Sequence, residues 1–188
     1  RLKVAVEHFS TVACRNQEGV PMGSNARASG FLKECMADAL IQLMPQKEFS
    51  RITVNEIATA AGVNRSTWFR HFETKNDALT FKLVQLWLRY TAVQPQISQH
   101  YTLENAHDFF KFTYQIRELL TTIYQAGAQS AVYSAFYQIM ISQQSKSTLE
   151  AYAARFYSYG LFGLLDEWYK REFHETPDEM TQLFRKMI

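Results

Sequence analysis

At 188 residues, with 47% hydrophobic and 14% aromatic content, the chain can bury one good core or two small lobes that share one. Only seven glycines and four prolines exclude a disordered or fibrous class. The net charge of +2 is unevenly spread: residues 27–95 carry nine Lys/Arg against six Asp/Glu, and residues 96–188 carry eight against ten, so a polyanion partner suits the front better than the back.

Residues 1–27 read as an N-terminal extension and linker. The stretch RLKVAVEHFSTVAC fits a strand (Leu2, Val4, Val6) or a helix (Leu2, Val6, Phe9, Ala13), and both stay open. NQEGVPMGSN is a linker by its Gly, Pro and Asn, and Met22 could be the native start. Lys3, Glu7 and His8 interrupt what would otherwise be a signal peptide. No apolar run approaches the roughly 18 residues a membrane span needs. Cys14 and Cys35 suggest neither a disulfide framework nor a zinc site. A cytoplasmic protein without membrane contact is expected.

From about Ala28 the pattern is helix after helix: 28–44, 54–61, 65–71, 75–93, 103–126, 129–143, 148–173 and 177–187. Capping boxes mark three of the starts, at Thr53-Val-Asn-Glu56, Ser147-Thr-Leu-Glu150 and Thr176-Pro-Asp-Glu179. Thr74-Lys-Asn-Asp77 is a looser version, and Asn64 is a natural N-cap. Hairpin signals such as Asn-Gly or Asp-Gly are absent.

The stretch TVNEIATAAGVNRSTWFRHFETK, Thr53 to Lys75, stops one short helix at a glycine and starts another at once. Ile57, Ala61 and Val63 are spaced to meet a core, and Ala58 and Gly62 are small where two helices approach. Gly62 also permits a left-handed turn. Trp68 and Phe72 anchor the second helix from beneath. Arg65, Ser66, Phe69 and Arg70 are left on its outer side, a shape suited to a major groove.

The segment ITVNEIATAAGVNRSTWFRHFETKNDAL resembles the signature of the TetR family of bacterial transcription regulators across roughly residues 28–90. Tyr159 to Asp178 is similar to the back end of members related to dihydroxyacetone-kinase regulators. The resemblance implies an all-α fold: a three-helix helix-turn-helix DNA-binding domain (28–74), then a helical effector-binding and dimerisation domain (75–188). It implies that Thr53, His71 and Lys75 hold phosphates, that Asn55, Arg65, Ser66 and Thr67 lie nearest base edges, where Arg65 suits guanine, and that Asn64 belongs to the same DNA-binding set. Phe69 stands where the family usually has Tyr, so the ring remains for a thymine methyl but a hydroxyl is lost. Implied partners are a palindromic double-stranded operator, a second copy of the chain and a small-molecule effector.

Of 27 aromatic residues, 16 lie between Tyr101 and Tyr169. Most should be core, yet so many tyrosine hydroxyls need partners. A pocket for an aromatic or amphipathic effector would use Phe112, Tyr133, Tyr137 and Phe156. The long segment from Thr148 to Phe173 is apolar nearly all round until Asp166, so it needs two neighbours, and a second protomer is expected as one of them. Phe156, Gly160, Gly163, Leu164 and Trp168, with Leu183 and Phe184 of the last helix, form the expected dimer interface. The five histidines make no HExxH, and there is no GxSxG, so neither an enzyme nor a metal or cofactor site is expected. The reading is a repressor released by an effector. The alternative is the same fold controlled by a partner protein without any small molecule.

Overall fold

The structure, a computed structural model, describes residues 25–94, 106–140 and 147–187, so the readings made for residues 1–24 lie outside the described residues. Nine α-helices follow in chain order among the described residues: α1 (Asn25–Leu43), α2 (Val54–Ala60), α3 (Arg65–His71), α4 (Lys75–Ala92), α5 (Ala106–Gln115), α6 (Arg117–Gln125), α7 (Ser130–Met140), α8 (Thr148–Lys170) and α9 (Pro177–Met187). A 3-10 turn, Phe49–Arg51, precedes α2. The described part of the chain is all-α.

The caps explain where these helices start. Thr53 Oγ1 accepts from the Glu56 amide at 3.2 Å, and the Glu56 carboxylate accepts from the Thr53 amide at 2.9 Å. Ser147 and Glu150 make the same exchange at 3.2 and 3.1 Å, and Thr176 and Glu179 at 3.3 and 2.8 Å. Thr74 and Asp77 manage it with the shorter acid, at 3.2 and 2.7 Å. Each exchange satisfies two amides that the helix cannot. Asn64 occupies the N-cap of α3 with extended backbone angles, but its side chain makes no capping bond, which corrects that part of the sequence reading.

The helix ends show a second regularity. Gly62 (φ 66°) and Gly127 (φ 69°) take left-handed conformations, and the amides after them reach back to Ala58 O at 2.9 Å and Ile123 O at 3.0 Å. A Cβ at Gly62 would meet nothing within 4 Å. Backbone conformation, and not close helix approach, therefore requires glycine there. After α8 no glycine is available: Glu172 (φ 55°) and Phe173 (φ 54°) are both left-handed, and the Phe173 amide bonds Trp168 O at 2.8 Å.

The single helix expected over 103–126 is broken at Ile116 into α5 and α6. Arg117 Nη1 donates to Tyr114 O at 2.8 Å with its guanidinium over the Tyr114 ring at 4.3 Å, and Thr121 Oγ1 donates to Arg117 O at 2.8 Å. Side-chain donors that take helix carbonyls in this way bend a helix.

The chain forms two compact units. The first runs through Lys82, past the boundary expected at residue 74, and takes in Thr122–Ala131. Polar links explain the extension: Asn76 Nδ2 donates to Ser130 Oγ at 2.8 Å, Thr80 Oγ1 donates to Ala131 O at 3.2 Å, and the buried Lys82 ammonium meets Asp38 at 2.5 Å. Met36, Leu40, Ile57, Trp68 and Leu79 fill its core. Cys35 is buried.

The second unit, Leu83–Thr121 and Val132 onward, is built on interlocked rings. Phe109 packs edge-on to Trp87 at 5.9 Å and to Phe136 at 5.1 Å. Phe110 does the same to Trp168 at 6.0 Å and to Phe184 at 5.9 Å, which seats α9 on α5. Trp168 and Phe184 are therefore core residues of the protomer, 1% and 6% exposed, and leave the expected dimer set. The aromatic periodicity was right about burial; α5 of the same chain supplies the cover.

Candidate nucleic-acid interface

Residues 53–75 assemble the site in a few steps. The capping box starts α2, the Gly62 turn stops it, and α3 begins three residues later at Arg65. α2 packs on α1, and α3 packs on α2. Trp68 is buried to 1% and Phe72 to 5%, with their rings 5.1 Å apart and Phe72 against Phe81 of α4 at 5.9 Å. One face of a seven-residue helix is thereby pinned, so the rest of it must point outward.

That outward side holds most of the expected residues. Asn55, Asn64, Arg65, Ser66, Phe69 and Arg70 are exposed, and Thr67 is half-buried. The Arg65 guanidinium lies 5.0 Å from the Phe69 ring centre, one helical turn on. This stacking limits the Arg65 rotamers before any partner arrives. Phe69 thus acts as a platform for Arg65, a role the sequence reading did not assign.

His71 is half-buried at the end of α3, and burial first, then Lys33 and Arg70, hold its pKa below the ordinary 6.5. Basic neighbours that disfavour a proton on His71 create a local potential that favours an anion.

Two expected phosphate ligands are occupied. Both donors of Thr53 go to the Glu56 carboxylate, the amide at 2.9 Å and the hydroxyl at 2.8 Å. Lys47 holds the other oxygen of that carboxylate at 2.7 Å. The Lys75 ammonium donates to the carbonyls of Phe49, Ser50 (3.4 Å) and Ile52 (3.0 Å) and sits 4.5 Å from the Phe49 ring centre. Thr53 and Lys75 are brought to the site, but as internal supports. The sequence carried no sign of the 3-10 turn that receives Lys75, because that turn is fixed by a partner 26 residues away.

The residues expected to line an effector pocket do not meet at one place. Phe112 is 3% exposed and packs on Trp87 at 5.3 Å and Tyr90 at 5.3 Å. Phe156 is 75% exposed. Tyr133 and Tyr137 do come together, stacked at 6.3 Å, and Tyr133 stacks on Tyr159 at 4.3 Å. Arg155 joins them, donating to the Tyr133 hydroxyl at 2.7 Å and lying 3.6 Å from the Tyr137 ring centre. Of the expected dimer residues, Phe156, Gly160, Gly163 and Leu183 are exposed, and Leu164 is half-buried.

Residues 37–79 match the family of bacterial regulatory proteins named for tetR, and residues 98–188 match the transcriptional regulator C-terminal region of that family. The chain belongs to the TetR family. Its relatives include proteins of Escherichia coli K12 and O157:H7 named "Probable acrEF/envCD operon repressor", each 32% identical over 97 residues. That likeness spans 52% of this chain and 40% of the relative, so the chain covers less than half the length of the curated proteins it matches. TetR-family regulators are non-enzymatic. Among the described residues no group of His, Cys, Asp and Glu could hold a metal ion, and no helix is long and apolar enough to cross a membrane.

Proposed function

We propose that this TetR-family chain is a sequence-specific repressor that reads a palindromic duplex operator as a homodimer and is released by a small aromatic or amphipathic effector. The observation that carries the DNA-binding part is the two-sidedness of α3: Trp68 is sealed beneath while Asn64, Arg65, Ser66, Phe69 and Arg70 face out. Arg65, steadied by Phe69, is the residue to pair with guanine, and Asn55, Ser66 and Thr67 would approach neighbouring bases. His71 would contact a phosphate. In the DNA-competent dimer the two α3 helices would lie about 34–36 Å apart.

The dimer is supported by α8, which exposes Leu149, Tyr152, Phe156 and Tyr159 along one stripe, with Gly160 and Gly163 beside it. A Cβ at either glycine would meet nothing within 4 Å. An exposed glycine inside a helix costs about 1 kcal/mol relative to alanine. Within one protomer nothing offsets that cost, whereas a second backbone lying close to α8 would.

Binding to the duplex immediately upstream of the chain's own gene, titrated against salt, tests the reading. Steep salt dependence is expected, and Arg65→Ala should relax base preference at one position with a loss of about 1–3 kcal/mol. A flat salt response would sink it. Effector control rests on family membership and on the aromatic richness of the second unit. Control by a partner protein competes with it, and is favoured by the packing of Phe112 into filled core. Screening aromatic compounds for release of the bound duplex, against release by cell extract stripped of small molecules, separates the two.

A further inference from the structure

Lys75 stands at the first position of α4, where the sequence reading made it a phosphate ligand. Its geometry suits another task. An ammonium has three hydrogens. Three carbonyls of the turn before α2, those of Phe49, Ser50 and Ile52, converge on this one. The Phe49 ring closes one side at 4.5 Å. Ile52 is followed directly by Thr53, the N-cap of α2, so the last carbonyl held by Lys75 adjoins the residue that aims the helix. Beyond it the chain of contacts continues through Thr53 to Glu56, and from Glu56 to Lys47. Burial, and then Lys47, lower the Lys75 pKa, which fits an ammonium withdrawn from water toward backbone dipoles.

We infer that Lys75 is a positioning residue for DNA recognition: it ties the start of α4 to the turn before α2 and so sets the direction in which α2 presents Asn55, without itself touching a phosphate. The inference rests on the DNA-binding reading above. It matters mechanistically because α4 is then fastened to the recognition motif by hydrogen bonds to backbone. A shift of the first turn of α4 would turn α2 with it.

The test uses the full chain and the same upstream duplex. A lysine that neutralises a phosphate gives the salt plot about 0.9 of its slope. Lys75→Gln should therefore weaken binding by about tenfold, or about 1.4 kcal/mol, with the slope unchanged. Lys75→Arg keeps the charge but splays its donors in a rigid plane where three carbonyls converge on a single atom, so it should lose a similar factor, again with the slope unchanged. Combining Lys75→Gln with Asn55→Ala should be non-additive, because the first acts through the second; a residue that merely stabilises the fold would show no such coupling. A slope reduced by about 0.9 in Lys75→Gln, or wild-type binding by Lys75→Arg, overturns the assignment. If Lys75→Gln does not fold, the arginine variant decides alone. If the wild-type chain itself does not bind the duplex, the DNA-binding reading fails instead. The tether is then read by hydrogen exchange: Lys75→Arg should speed exchange of the Ile57 and Ala58 amides in α2, and unchanged exchange there removes the tether too.

Discussion

α3 and α8 solve the same packing problem and leave opposite surfaces. Each buries one side around a tryptophan, Trp68 in α3 and Trp168 in α8, both 1% exposed. What remains outside differs. α3 shows water Asn64 at its cap, then Arg65, Ser66 and Arg70, with Phe69 lying under Arg65. α8 shows Leu149, Tyr152, Phe156 and Tyr159, each at least 60% exposed. A polar, cationic surface keeps its hydration until a polar, anionic partner replaces it. An apolar stripe loses free energy in water until another apolar surface covers it. The two helices therefore define two classes of partner, nucleic acid and protein.

The largest effect should come from breaking the apolar side. Phe156→Asp leaves the protomer core untouched, since the ring is 75% exposed. Two copies of a ring worth about 1.5–3 kcal/mol each when buried should weaken the dimer by more than about a hundredfold. Sedimentation should show monomers with unchanged helicity. A variant that still sediments as a dimer would remove α8 from the interface.

On the polar side the two neighbours Trp68 and Phe69 should separate cleanly. Trp68→Ala empties a fully buried site and should destabilise the protein by about 3–5 kcal/mol in urea unfolding. Phe69→Ala, at 56% exposure, should change stability by less than about 0.5 kcal/mol yet weaken duplex binding, because Arg65 loses its platform. If Phe69→Ala binds as the parent does, the stacking has no role in recognition.

The helix ends give a smaller, signed pair. Gly62→Ala places a Cβ in empty space, so its whole penalty, about 1–2 kcal/mol, is conformational. Glu172→Gly runs the other way: an exposed, left-handed residue becomes one with no Cβ, and stability should rise by about 1 kcal/mol. Thermal melts of the two variants should move in opposite directions.

The same contrast explains what the sequence made legible. α2, α8 and α9 begin where their capping boxes predict, because a capping box is local chemistry: Thr53 and Glu56 are three residues apart and need no other part of the fold. The Gly62 turn is equally local. The partners of the Trp168, Phe184 and Lys75 side chains within the protomer were not legible because they are distant in the chain. Trp168 and Phe184 look interfacial until Phe110 of α5 covers them, and Lys75 looks like a solvent-facing cation until the Phe49–Arg51 turn folds beneath it. Periodicity states that a residue is buried but not which surface buries it. The break at Ile116 was invisible for a related reason: Arg117 and Tyr114 are both acceptable in a helix, and only their mutual arrangement bends it.

The smallest expected effect is the most discriminating for the support beneath the polar side. Glu56 has its pKa lowered from 4.5 to about 2, first by the Lys47 ammonium and then by the amide and hydroxyl of Thr53. Glu179 occupies the equivalent cap position on α9 with Thr176 but without a lysine, and its pKa is lowered by those cap bonds. A carboxyl depressed in the folded state contributes stability above its unfolded pKa and loses that contribution as the pH falls through the folded one. For Glu56 the loss should therefore run from about pH 4.5 down to about pH 2. Urea midpoints of the parent should fall across that window, and Glu56→Gln should flatten part of the slope. Lys47→Met should raise the Glu56 pKa while leaving that of Glu179 where it is, as read by carboxyl carbon NMR. An unchanged Glu56 titration in Lys47→Met would mean that the cap alone holds the carboxylate, and that Lys47 adds nothing to the support of α2.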